Sequence, residues 1–258
     1  VVATISSSLY EHEYSMVVMD FGLDIKREKQ AVDFLCSKQV SGIIDMPSNL
    51  TTRHLERAIN QKVPIVLFDR AMPGKDLPVV KSDNFLAIDL AIDHLVQNGH
   101  RHIGFISGNQ KIETAREREA AYYKALEKRG IKKKTSYVHR CDYVQQDSAA
   151  ESTHKIIESN PDITAIIASN MITMMGALQA FNEMDLRIPE QMSFVGFDDV
   201  RFAKAYNPQL TIIEQPIETI ARQSVDILLR EIEHKEKQEN LIKIYEPRLV
   251  EGKSVKKF

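Results

Sequence analysis

The stretch DNFLAIDLAIDHLVQNGHRHIGFISG (Asp83–Gly108) holds two structural periods side by side. In its first half Leu86, Ala87, Leu90, Ala91 and Leu95 fall on one stripe of a helix, and Gly99 supplies a natural stop. In its second half Ile103–Ser107 (IGFIS) is an apolar run with no polar alternation, the pattern of a strand buried on both faces. Similar runs recur outward in both directions: Met16–Met19, Gly42–Met46, Pro64–Phe68, Thr164–Ala168 and Ser193–Gly196. Between them lie further helix signals. Thr114–Glu117 and Ser148–Glu151 each fit a capping box, Gly130 ends the helix that Thr114 opens, and Pro216 suits the first position of a late helix. Repeated strand–helix–strand order predicts an α/β fold with parallel sheets and right-handed crossovers. Two sheets are expected, with connectors at Leu77–Asn84 and Thr211–Gln215, and a last strand-like run at Leu241–Tyr245 before a basic, polar tail.

The totals narrow the function. The 258 residues are 43% hydrophobic and 27% charged, enough for two lobes, and the net charge of −2 lacks the basic excess of a surface that binds nucleic acid. Cys36 and Cys141 form no motif and read as buried free thiols of a reducing compartment. No apolar run is long enough to span a membrane, and no signal peptide is visible.

No G-x-S-x-G elbow, H-E-x-x-H, Walker A loop or G-x-G-x-x-G stands in the chain, so no catalytic residue is expected. His100 and His102 have no Cys or carboxylate cluster beside them, and neither a metal nor a cofactor is expected. What remains is a set of polar residues after the apolar runs, where parallel α/β sheets bind ligands. Asp45 ends GIID, Asp69 and Arg70 end PIVLFDR, Asn170 follows TAIIAS, and Asp198 and Asp199 follow SFVGF. Arg116 and Arg118 lie early in the helix after IGFIS. Each also has a structural reading: Asn170 and Asp199 as helix caps, Arg116 as a surface charge, Arg118 as a partner for a carboxylate. Taken together they suit a sugar, whose hydroxyls donate and accept, with an aromatic ring against its apolar face. Tyr122 and Tyr143 are candidates for that ring, core packing being the equal alternative. If Arg118 lies in a solvated cleft, Arg118→Ala weakens binding by about 1.5–3 kcal/mol and leaves the fold intact.

These residues sit in a longer resemblance. KQVSGIIDMPSN (Lys38–Asn49), VPIVLFDR (Val63–Arg70), Asp83–Gly108, TAREREAAYYKAL (Thr114–Leu126), TAIIASNMITMMGAL (Thr164–Leu178) and RIPEQMSFVGFDDV (Arg187–Val200) follow in order. NPQLTIIEQPIETIARQSVDILL (Asn207–Leu229) and PRLVEGKS (Pro247–Ser254) complete them. The chain resembles the lactose-repressor/galactose-repressor (LacI/GalR) family of bacterial regulators. The resemblance implies a periplasmic-binding-protein-like core of two Rossmann-like lobes joined by three crossover strands, with a small-molecule effector between the lobes. It implies an N-terminal lobe of residues 1–81 and 217–240, a C-terminal lobe of 82–213 and 241–252, and a tail of 253–258. It also implies a cytoplasmic homodimer that binds operator DNA through a helix-turn-helix domain, with effector and operator coupled allosterically. By this resemblance Arg118 grips ligand oxygens, Asn170 and Asp198 face the sugar, Asp69 lines the cleft, and Asp45 stands at the mouth of the N-terminal lobe. Tyr122 and Tyr143 take the place of ring-covering aromatics, and Tyr206 falls in a dimer-interface region. Met171 stands where an acidic residue is usual, and Gly252 where arginine is. Val1–Ser15 aligns with the family's first helix, so the DNA-binding domain, hinge and first strand are expected outside these residues. Two other readings share the framework: an extracytoplasmic sugar-binding protein of a transporter, and a regulator controlled by a phosphorylated carrier protein acting as corepressor.

Overall fold

The computed structural model describes residues 1–48, 50–51, 53–73, 76–198, 200–234 and 241–258. In chain order the elements begin with α1 (Val2–Tyr10), α2 (Ile25–Ser37), β1 (Ile43–Asp45), α3 (Glu56–Asn60), β2 (Ile65–Phe68) and β3 (Val79–Ser82). They continue with α4 (Asn84–Gln97), β4 (Ile103–Ser107), α5 (Glu113–Lys128), β5 (Val138–Arg140), α6 (Gln146–Ser159), β6 (Ala165–Ala168) and α7 (Met171–Glu183). The last are β7 (Ser193–Phe197), α8 (Val200–Ala205), β8 (Thr211–Glu214), α9 (Ile217–His234), β9 (Ile242–Tyr245) and β10 (Arg248–Val250).

The chain divides into two compact units: Val1–Ser82, Lys111–Glu113 and Pro216–Tyr245 in the first, and Asp83–Gln110, Thr114–Gln215 and Glu246–Phe258 in the second. Apart from Lys111–Glu113, each passage from one unit to the other comes within a residue of a strand end, after β3, β8 and β9.

The first unit is a four-stranded parallel sheet in the order β1-β2-β3-β9. Strand β2 carries no polar alternation because both its faces are covered, whereas β9 at the sheet edge alternates exposed Ile242 and Ile244 with half-buried Lys243 and Tyr245. Along β2, Ile65 and Leu67 join Val32, Cys36 and Leu55 in one core cluster, while Val66 and Phe68 join Ile5, Leu9, Ile220 and Val225 in another. Side chains alternate across a strand, so a run of four apolar residues serves both clusters. Asp24 caps α2, its carboxylate accepting from the Lys26 and Arg27 N–H groups.

The second unit is a six-stranded sheet in the order β10-β8-β7-β6-β4-β5, parallel except for the β10–β8 pair. The stripe read on Asp83–Gly99 packs in part: Ala87, Ala91 and Leu95 of α4 bury as expected, with Ile88 and Ile92 beside them in place of the half-buried Leu86 and Leu90, against Ile103 and Phe105 of β4 and Ala121 and Tyr122 of α5. Each fully buried Leu, Ile or Phe here contributes about 1.5–3 kcal/mol. Asp83 caps α4, and Gly99 turns the chain out of it at φ +94, where a side chain would be strained.

Several expectations change. Met16–Met19 forms no strand, and Val17 and Val18 are 59% and 57% exposed. An apolar run becomes a strand only with a hydrogen-bonding neighbour, and no described strand pairs with it. Residues 241–245 do not join the C-terminal lobe, because β9 pairs in parallel with β3 in the first unit. Residues 253–258 are not a loose tail. Ser254 Oγ donates to the Phe194 carbonyl and accepts from the Thr211 N–H, and the Phe258 N–H reaches the Asn98 carbonyl. Neither capping box forms as read. Helix α5 already begins at Glu113, and α6 at Gln146, where Ser148 Oγ instead accepts from the Asp142 N–H. Pro216 falls one position before α9. Among the described residues, no helix is long and apolar enough to cross a membrane.

Candidate ligand-binding site

Of the polar residues expected together, Arg118, Asn170 and Asp198 lie in the second unit, beyond the carboxyl ends of β4, β6 and β7. Arg118 is their centre. It lies in the second turn of α5 and is 3% exposed. Its Nε donates to Asn84 Oδ1 at 2.7 Å, Nη1 to the Ser169 carbonyl at 2.6 Å and Nη2 to Gln215 Oε1 at 3.1 Å. Its guanidinium carbon sits 4.2 Å from the centroid of the Phe197 ring, a cation–π contact in a dry setting. A guanidinium carries five N–H groups, and three are engaged, so two remain for a ligand oxygen.

Asp198 joins through the same glutamine. Gln215 Nε2 donates to Asp198 Oδ1, and the Met171 N–H donates to Asp198 Oδ2 at 3.3 Å. Asp198 holds φ at +79, a left-handed conformation that aspartate tolerates better than most residues. Tyr143 is buried, its hydroxyl 2.7 Å from Ser169 Oγ. Asn170 follows Ser169 and caps α7: its Oδ1 accepts from the Thr173 N–H at 2.7 Å while Thr173 Oγ1 accepts from the Asn170 N–H at 2.8 Å. The structure thus gives Asn170 the capping role. Asp199 lies outside the described residues.

Other candidates fall elsewhere. Tyr122 is fully buried, stacks on Phe105 at 5.0 Å and donates its hydroxyl to the Ile103 carbonyl, so it belongs to the core and covers no ligand. Arg118 is not in solvent either, which removes the ground for expecting the fold to survive its loss. Asp69 follows β2 in the first unit, half-buried at φ +66 and 3.5 Å from Arg70 Nε, while Arg70 Nη1 donates to the Pro47 carbonyl at 2.9 Å. Tyr206 follows α8 in the second unit, half-buried and tilted against Phe202.

Asp45 does not open to a mouth. It is 5% exposed, with Oδ2 3.0 Å from His54 Nε2, and that nitrogen is 3.5 Å from Glu28 Oε1. Burial works against a charge on His54. The hydrogen bond and charge of Asp45, with the charge of Glu28, outweigh it and raise the imidazole above its ordinary value.

Asn84, Ser169 and Gln215 were missed from sequence. Gln215 had a usable signal, since it follows the apolar run of β8 just as Asp198 follows β7.

Comparison with known proteins gives the arrangement its setting. The periplasmic binding protein-like domain family matches residues 92–255. The HTH-type transcriptional repressor PurR of Haemophilus influenzae is 30% identical over 260 residues, covering 99% of this chain and 76% of the relative. The PurR of Pasteurella multocida is 27% identical over 257 residues, with 99% and 76% covered. Among solved structures, a probable LacI family transcriptional regulator from Corynebacterium glutamicum superposes with a TM-score of 0.89 at 24% identity, covering 100% of this chain and 93% of that one. The transcriptional regulator CelR in complex with cellobiose superposes with a TM-score of 0.89 at 24% identity, covering 98% and 77%. An Enterococcus faecium LacI family regulator with bound ribose gives 0.87 at 22% identity, covering 100% and 93%. The chain belongs to the LacI/GalR family of bacterial transcription regulators and carries its periplasmic-binding-protein-like domain.

Proposed function

We propose that this domain binds a small hydroxyl-rich effector, a sugar or sugar phosphate, and that occupancy controls operator binding by a repressor of sugar-metabolism genes. The observation that carries the reading is the Arg118–Gln215–Asp198 chain. It fixes a cation with two N–H groups to spare and, one side chain away, a half-buried carboxylate. A polyol needs such a pair, because each hydroxyl both donates and accepts. Arg118 and Asp198 make the polar contacts, Tyr143 supports Ser169, and the exposed Met171 side chain offers apolar surface beside Asp198. Tyr206 marks a self-association surface of a cytoplasmic homodimer. The cellobiose and ribose held by the two regulators named above support a sugar.

Thermal unfolding against a panel of sugars, sugar phosphates and purines tests this. A ligand at a hundredfold excess over its Kd adds about 2.7 kcal/mol of stability. The expected result is a shift with one sugar-class compound that Asp198→Asn reduces while the unliganded melting point holds. A shift with a purine alone removes the sugar class. No shift with any compound moves the reading to a protein corepressor.

A further inference from the structure

Three side chains of ligating type converge inside the first unit. Glu28 sits in the first turn of α2, Asp45 ends β1, and His54 lies in the short 3-10 turn Arg53–Leu55. They are 0%, 5% and 3% exposed, far from the usual place of charged groups. One ligating atom from each lies within 4.8 Å of the other two. His54 Nε2 stands 3.0 Å from Asp45 Oδ2 and 3.5 Å from Glu28 Oε1. Around a tetrahedral ion with bonds of about 2.0–2.1 Å, neighbouring donors are about 3.3–3.4 Å apart, and the two distances bracket that spacing.

The surroundings fit as well. Glu28 is oriented by Ser48, whose N–H donates to Oε1 at 2.8 Å and whose Oγ donates to Oε2 at 2.5 Å. Ligating carboxylates carry such outer hydrogen bonds. On the far edge of the imidazole, His54 Nδ1 is buried and meets no hydrogen-bond partner.

We propose that Glu28 Oε1, Asp45 Oδ2 and His54 Nε2 form a three-ligand site for a divalent transition-metal ion, with zinc the best match to this nitrogen and oxygen set. Calcium and magnesium take oxygen shells of six or more and are poorly served by an imidazole. The ion ties α2, the end of β1 and the Arg53–Leu55 turn together. It is a structural site, independent of the effector reading.

The full chain, stripped by chelator, is equilibrated with Zn²⁺ alone and its metal content counted after dialysis. About one ion per chain is expected, with a higher melting temperature than the stripped protein. His54→Gln is expected to weaken retention by more than the roughly 10–100-fold that outer-shell changes cost. His154→Gln, which removes an exposed histidine 2.8 Å from Glu183, is expected to change nothing. No retained zinc in the wild type overturns the proposal. So does a folded His54→Gln that holds as much as the wild type, which would mark adventitious surface binding. Should His54→Gln fail to fold, Co²⁺ loaded into the wild type decides: tetrahedral d–d absorption supports the site, and an aquo-ion spectrum overturns it.

Discussion

Asp45 and Asp198 obey one rule and end differently. Asp45 is the last residue of the parallel strand β1 in the first unit, and Asp198 follows the parallel strand β7 in the second. Asp198 is half-buried and touches Gln215, which in turn holds Arg118. Asp45 is 5% exposed and faces His54. The place beyond a strand end gathers polar groups, but it does not say whether they face a ligand or one another. What separates the two clusters is spare hydrogen-bonding capacity. Arg118 keeps two N–H groups beyond its internal bonds, whereas the ligating atoms around His54 point inward at each other.

The largest way to break this contrast is Arg118→Ala. It leaves Asn84 Oδ1, the Ser169 carbonyl and Gln215 Oε1 without their donor. One buried unsatisfied acceptor costs about 1–3 kcal/mol, so a loss of about 3 kcal/mol or more is expected in urea unfolding, along with effector binding. Unchanged stability would mean that Arg118 sits in solvent, and the contrast would collapse.

Next in size is Gly108→Ala, at the turn after β4. A Cβ there would stand 2.1 Å from the Tyr143 ring, so the ring must shift from the position that holds its hydroxyl 2.7 Å from Ser169 Oγ. Overpacking of this kind costs about 1–3 kcal/mol. A melt unchanged from wild type would show that Tyr143 is not held against Ser169. A matching drop in Tyr143→Phe would assign part of the cost to the hydroxyl.

How much of this was legible depends on the kind of signal. Apolar runs without alternation marked β2, β4, β6 and β7, because two covered faces leave no polar period. The same signal failed at Met16–Met19, since pairing is a property of two segments and one run cannot report it. Position after the apolar runs, and then the resemblance, led to Arg118 and Asp198, and Gln215 links them in the structure. It also put Tyr122 at the ligand, where one helical turn after Arg118 points instead at Phe105. The Glu28–Asp45–His54 cluster carried no spacing signal, because its members come from a helix, a strand end and a 3-10 turn. Folding alone brings them within reach of one another.

A smaller effect sharpens the reading of Asn170. Its side chain caps α7, so Asn170→Ala is expected to cost about 1 kcal/mol, within the usual 0.5–2. Calorimetry on the variant then separates cap from contact. Stability lost with affinity kept leaves Asn170 as a cap alone, and affinity lost beyond what unfolding explains restores it to the ligand.

The smallest effect compares two buried histidines. His54 faces carboxylates, and its pKa is raised. His100, in the second unit, meets Thr164 Oγ1 at 2.8 Å, the Lys256 carbonyl at 3.1 Å and, edge to face, the Phe258 ring at 4.9 Å between centroids. Burial is the main cause that lowers it from its ordinary value of 6.5, with the Lys256 carbonyl pulling the other way. The folded state thus prefers neutral His100, and the unfolded chain takes up a proton first as the pH falls. Its contribution is complete above pH 6.5 and is lost as the pH falls through the folded pKa, at no more than about 1.4 kcal/mol per pH unit for one group. His100→Gln keeps a polar side chain and removes the titration, so the slope of stability against pH just below 6.5 should flatten. An unchanged slope would place the acid sensitivity elsewhere, with His94, which burial also lowers, the next histidine to replace.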